Sequence, residues 1–154
     1  QTLAAFFLIL PYKVCSGGFH LKTHIGCILC TNIIYCGNAI LSSLVIIPDY
    51  VEWTLLAITL FLGIICVTKY APADTENLPI LTKKERHTKK VLSYLFLGIN
   101  LIAVILIPNQ TISNIFLFGT FIQTISITKL AYRLTKNQSG YELYLKEQLA
   151  NNHS

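Results

Sequence analysis

Residues 12–31 read YKVCSGGFHLKTHIGCILCT and gather three of the chain's five cysteines, two of its four histidines and its one Gly-Gly pair. Side chains of these types support three kinds of chemistry. His24, Cys27 and Cys30 fall on one helical stripe and could ligate a metal, with Cys15 or His20 as a fourth ligand of the closed shell that structural zinc requires. Cys27 and Cys30 also form a CxxC, the spacing of a thiol redox pair. Third, Cys27 could be a nucleophile activated by His20 or His24. A fourth reading has no chemistry in it, and the cysteines simply pack in an apolar helix.

Geometry constrains the nucleophile reading. In a straight helix, His20 and Cys27 share a face but stand about 10 Å apart at ~1.5 Å rise per residue. A base must come within about 3 Å of the proton it takes. His20 therefore serves Cys27 only if the chain folds back before the helix begins, and Gly17-Gly18 permits that backbone. Thr23 can then cap the helix, placing Cys27 in its first turns. There the positive helix end and Lys22 favour a thiolate. His24, three positions before Cys27, is the rival base.

The elements that must hold these residues are membrane helices. The chain has 154 residues, of which 53% are hydrophobic and 12% charged, about half the charge of an ordinary soluble domain. Apolar runs cover 25–47, 53–68, 91–107 and 111–130, each near the ~20 residues a helix needs to cross the hydrocarbon core. They lack the strict alternation of a membrane barrel. A further apolar run at 2–10 has no basic residue ahead of it, unlike a signal peptide. We read it as the end of a truncated first helix. The expected fold is all-α, a multi-pass transmembrane bundle of four full spans plus a truncated N-terminal one, forming a single integral-membrane domain over 1–154. Residues 131–154 are expected to form a tail, with apolar positions 141, 144, 145 and 149 at helical spacing along the membrane surface.

Charge sorts the connections. Segments 47–52 and 108–110 contain no Lys or Arg. The segment around Lys13 and Lys22, the loop 69–90 and the tail from Lys129 onward hold all twelve basic residues. By the positive-inside rule, the Cys/His stretch lies on the cytoplasmic side of a cell membrane. That reducing compartment weakens the redox reading, and five cysteines in apolar runs are expected to stay reduced. The basic excess is thereby a topology signal, and no nucleic-acid partner is expected.

Lys13-x3-Gly17-Gly18-Phe19-His20-x6-Cys27 resembles the AgrB family, the accessory gene regulator membrane endopeptidases of Gram-positive bacteria. The loop from Lys69 through Ala71-Pro72-Ala73-Asp74 to Ile80, followed by a basic run and two more spans, is similar to that family's second signature. Lys13 replaces a more usual arginine and Leu78 a common lysine. The resemblance implies a cysteine endopeptidase that cleaves an AgrD-like quorum-sensing pro-peptide. Its product leaves through an acyl-enzyme thioester as a thiolactone, with no cofactor and no metal. It also implies catalytic Cys27 and His20, with the Gly17 and Gly18 N–H groups as oxyanion donors and Asp74 as a candidate for orienting His20. Lys83, Lys84, Arg86, Lys89 and Lys90 would dock the substrate's acidic tail or anionic membrane lipid. A homodimer is expected from the resemblance, and Gly26, Asn32, Gly37, Asn38, Ser42 and Ser43 suit helix–helix packing. Two alternatives remain, a membrane thiol oxidoreductase in which Cys30 equals Cys27, and a non-enzymatic peptide export component.

Overall fold

The computed structural model describes residues 2–19, 23–76, 79–136 and 138–151, without the side chains of residues 2–8, His24 and Asn151. Seven helices follow one another: α1 (Thr2–Ser16), α2 (His24–Leu44), α3 (Asp49–Tyr70), α4 (Lys83–Leu106), α5 (Gln110–Ser126), α6 (Lys129–Leu134) and α7 (Gly140–Asn151). Among the described residues there is no strand, and the one isolated bridge joins Gly17 to Ala73.

Three helices are long and apolar enough to cross a membrane: residues Ile25–Leu44, Asp49–Tyr70 and Lys83–Leu106. The sequence led us to expect four. The fourth expected span, 111–130, ends at Ser126 and gives a helix of 17 residues, about 25 Å long. A turn at Ile127 then starts the separate α6, capped by Thr128 Oγ1.

The short α5 is the centre of the bundle and packs against α1, α2, α3 and α4. Nine of its residues are buried, five of them polar: Ser113, Asn114, Thr120, Gln123 and Thr124. Buried polar side chains need partners, and most of these find theirs on neighbouring helices. Asn114 Nδ2 donates to Val45 O at 3.0 Å, and Asn38 Nδ2 to Ile115 O at 3.1 Å. The Tyr12 and Thr124 hydroxyls meet at 3.1 Å. Such bonds hold apolar helices together where lipid removes the hydrophobic drive. Of the α2 residues suited to packing, Asn38 and Ser42 turn inward, whereas Asn32, Gly37 and Ser43 are exposed. Close approach is possible at Gly119, where a Cβ would collide with Ile9, and at Gly63, where it would press on Leu97.

The basic run 83–90, expected in a loop, forms the first two turns of α4 behind an N-cap at Thr82. Helix and span have different beginnings here. The helix starts where the backbone is capped, and the apolar segment starts two turns later. The ends of α1, α3 and α5 and the starts of α2 and α4 lie together at one end of the bundle, with the basic residues. The opposite turns, 45–48 and 107–109, carry none.

Candidate active site

The site is built on the turn after α1. Gly17 has φ +75° and Gly18 φ +143°, values that L side chains rarely adopt. The Gly17 N–H closes α1 by donating to Lys13 O at 2.9 Å. The Gly18 N–H donates to Ala73 O at 3.0 Å, and the Ala73 N–H returns to Ser16 O at 2.8 Å. A Cβ on Gly17 would run into the Ala73 carbonyl oxygen. From α5, Gln123 Nε2 reaches the same turn, donating to Gly17 O at 2.7 Å and Ser16 Oγ at 3.0 Å. The Gly-Gly turn is thus clamped between the 71–80 loop and the central helix. This corrects the oxyanion expectation for Gly17 and Gly18. Both N–H groups are already given to carbonyls, so the pair shapes the turn instead of facing a substrate.

Cys27 stands in the first turn of α2. Thr23 is extended and accepts from Gly26 N on its Oγ1 at 3.2 Å, while its carbonyl accepts from Cys27 N at 3.0 Å. The cap expected at Thr23 is therefore present, and Cys27 is held where the helix end is positive. Cys27 and Cys30 are both half-buried free thiols. They share the wall of a cavity of about 360 Å³ enclosed by α1, α2, α5 and α6. Lys13 enters this cavity from α1. Its ammonium lies 5.8 Å from the Tyr35 ring centroid, and the charges of Cys27 and Cys30 act on it. Much of the remaining wall is apolar, including Ile9, Ile34, Ile122 and Leu134.

His20 lies outside the described residues, as does Lys22. His24 begins α2, but its side chain also lies outside them. Among the described residues, no three His, Cys, Asp or Glu side chains gather as metal ligands would.

Asp74 is buried and its carboxylate is fully engaged. Oδ2 accepts from Ile80 N at 3.2 Å and Tyr141 N at 2.9 Å and pairs with Arg86 Nη1 at 3.3 Å. Oδ1 accepts from Ser139 Oγ at 2.8 Å. Arg86 also stacks 4.2 Å from the Tyr141 ring centroid. Tyr132 of α6 donates its hydroxyl to Asp74 O at 2.9 Å. Burial, then the Asp74 charge, pushes the Tyr132 phenol above its ordinary value. Asp74 and Arg86 thus tie α7 and the start of α4 to the loop that clamps Gly17-Gly18. Within the basic run, Lys89 pairs with Glu85 at 3.3 Å and Lys90 donates to Thr68 O at 2.6 Å. Lys83 and Lys84 are exposed. Other cations, Lys69, Lys129, Arg133 and Lys146, surround a groove of about 660 Å³ between the loop, α6 and α7.

The sequence reading missed Gln123, Tyr132 and this groove. A glutamine inside an apolar run at 111–130 was the available signal for the first, since a polar side chain there must face a partner.

No solved structure gives a significant match to this chain. An AgrB-like protein of Listeria welshimeri is 37% identical over 76 residues, a stretch that covers 49% of this chain and 37% of the relative. An AgrB-like protein of Listeria innocua is 36% identical, again over 49% of this chain and 37% of the relative. An AgrB-like protein of Clostridium acetobutylicum is 27% identical over 84% of this chain and 62% of its own length. The chain thus spans less than two thirds of the relatives it matches. The family model for accessory gene regulator B matches residues 1–127, which include the Gly-Gly turn, Cys27, the clamping loop and the central helix, and the chain belongs to the AgrB family.

Proposed function

We propose that the chain forms the catalytic part of a membrane cysteine endopeptidase that processes an AgrD-like pro-peptide of a quorum-sensing system. What supports this most is the setting of Cys27. The thiol sits in the first turn of a capped helix, on the wall of a largely apolar cavity beside Lys13, in a chain of the AgrB family. The helix end and the ammonium both lower the cost of a thiolate.

In this reading His20 takes the Cys27 proton. The thiolate then attacks a peptide carbonyl of the pro-peptide, forming a C–S bond as the carbonyl π pair moves to oxygen. Collapse of that intermediate breaks the C–N bond, and protonated His20 gives its proton to the leaving amine. A thioester remains on Cys27. A pro-peptide thiol, losing its proton to the base, attacks this thioester and displaces Cys27, which yields a thiolactone by exchange of one thioester for another. Water would give simple hydrolysis, and an apolar site disfavours it. With the Gly17 and Gly18 N–H groups spent, the α2 N-terminus and Lys13 are the sources of positive potential for the oxyanion.

The catalytic end faces the cytoplasm in this reading, matching the basic residues collected there. Lys83 and Lys84, exposed on α4, meet anionic lipid or the substrate's acidic tail. The protein works as a homodimer. The deciding experiment expresses the full-length gene with a tagged pro-peptide and compares Cys27→Ala, His20→Ala, His24→Ala and Cys30→Ala. Cleavage disappears with the first two and persists with the last two. Cleavage that survives Cys27→Ala rejects the assignment, and loss with Cys30→Ala alone identifies the other thiol as the nucleophile.

A further inference from the structure

We infer that the cavity beside Cys27 is the acyl-side subsite, which seats two bulky, uncharged apolar side chains from the residues just before the bond that is cut. The inference rests on Cys27 being the nucleophile and adds what that nucleophile selects.

Position comes first. The acyl fragment ends covalently on Cys27, and each substrate residue reaches no more than about 3.5 Å. The two residues before the cut must therefore lie within one or two residue lengths of that sulfur. The enclosed space at that distance is the cavity whose wall holds Cys27 and Cys30. Its volume of about 360 Å³ falls at the lower end of the range for small-ligand pockets, roughly 300–1,000 Å³. That suits two large side chains better than a folded segment.

Chemistry comes second. Ile34 and Ile122 face Ile9 and Leu134 across the space. Lys13 is the one charged residue on the wall, and its ammonium lies over the Tyr35 ring. A substrate ammonium would be desolvated beside a like charge, and a hydroxyl would find few partners. The floor is set by Gly119, where any Cβ would collide with Ile9 and approach Asn38 Nδ2at 3.1 Å. Thr31 and Ile34 of α2 line the side walls one and two turns beyond Cys27, so they determine which side chains fit.

The test uses the full-length protein in phosphatidylglycerol–phosphatidylethanolamine vesicles, with pro-peptides carrying Leu, Ala, Asp or Lys at the two positions before the cut. Leu exceeds Ala by roughly ten- to a hundredfold in kcat/KM, and Lys is the poorest. Thr31→Leu, which narrows the space, lowers turnover of the Leu substrate and spares the Ala one. Ile34→Ala, which widens it, shifts preference toward Phe. An unchanged ranking in both variants, or a preference for Asp drawn in by Lys13, overturns the inference. A second arm needs no cleavage. In the Cys27→Ala protein, N-ethylmaleimide labelling of Cys30, located by mass spectrometry, is slowed severalfold by a peptide ending in Leu-Leu and not by one ending in Ser-Ser. Absence of that protection overturns the subsite even where Cys27 proves essential. Cleavage that persists in Cys27→Ala removes the peptidase reading, and Cys30 protection still decides whether the cavity takes apolar side chains.

Discussion

Gly18 and Ala73 are joined by a backbone hydrogen bond of 3.0 Å, and through it the two sequence signatures become one structure. The first signature carries the turn and Cys27, and the second is the loop after α3. Neither the turn nor the loop contains regular secondary structure of its own beyond this bridge. Each supplies the other's missing backbone partners, as buried peptide groups require.

Gly17→Ala tests that junction. The residue must hold φ +75° while its Cβ meets the Ala73 carbonyl, so the substitution costs about 1–3 kcal/mol. The thermal midpoint of the detergent-solubilised protein falls and pro-peptide cleavage is lost. Gly37→Ala, where a Cβ would meet nothing within 4 Å, leaves both unchanged.

Breaking the Asp74–Arg86 pair loosens α7. Asp74→Ala removes the acceptor for Ile80, Ser139, Tyr141 and Arg86 together. We expect about 3 kcal/mol of destabilisation, because one charge of a largely buried pair is left alone. Limited proteolysis then cuts within residues 135–151 before any other site. A double-mutant cycle with Arg86→Ala shows a coupling of roughly 1–3 kcal/mol; additive losses would mean that the pair contributes nothing.

Thr23→Val deletes the side-chain cap on Gly26 N and costs about 1 kcal/mol. Its effect concentrates on the first turn of α2, so alkylation of Cys27 changes while that of Cys36, three turns farther on, does not. Thr23→Ser restores the cap and the wild-type labelling rate.

Gln123→Ala releases the turn from α5 by removing donors to Gly17 O and Ser16 Oγ, at about 1–3 kcal/mol. Gln123→Glu keeps the shape but cannot donate when ionised, and it fails at neutral pH as the alanine variant does. Recovery of cleavage in Gln123→Glu as the pH is lowered, absent in Gln123→Ala, identifies donation as the needed property.

Tyr132 sets a pH limit. Its folded-state pKa stands above the ordinary 10.0 because of burial and then Asp74. The unfolded chain therefore ionises first. Stability is complete below about pH 10 and declines as the pH rises toward the raised value. Tyr132→Phe loses the bond to Asp74 O, about 1 kcal/mol, and flattens that alkaline decline in a pH series of unfolding midpoints.

Local features were legible in the sequence. Thr23 announced a cap, Gly17-Gly18 announced a turn, and the 139–150 spacing announced the helix that forms as α7. Long apolar runs announced helices, but their ends were displaced. Residues 45–47 are as apolar as the helix before them yet leave it, because Ile47 precedes Pro48 and the α conformation is disfavoured there. The start of α4 was hidden because basic residues suit helices as well as loops. What was not legible was non-local. Asp74 meets Tyr141 and Gln123 meets Gly17 through backbone groups, which every residue carries and no residue type reveals. The expected oxyanion role of Gly17 and Gly18 failed for the same reason, since nothing local showed that Ala73 and Lys13 take their N–H groups.

The Gly18–Ala73 bridge also sets an order of events during biosynthesis. Cys27 and its helix leave the ribosome well before the 71–80 loop exists, so the nascent protein carries its thiol with no finished turn beside it. The site completes itself only once α3 has been laid down and its following loop has returned to the same end of the bundle. A chain arrested before Ala73 would hold the nucleophile without the clamp, and premature reaction with a bystander thioester or disulfide is thereby kept to an unassembled, poorly shaped thiol.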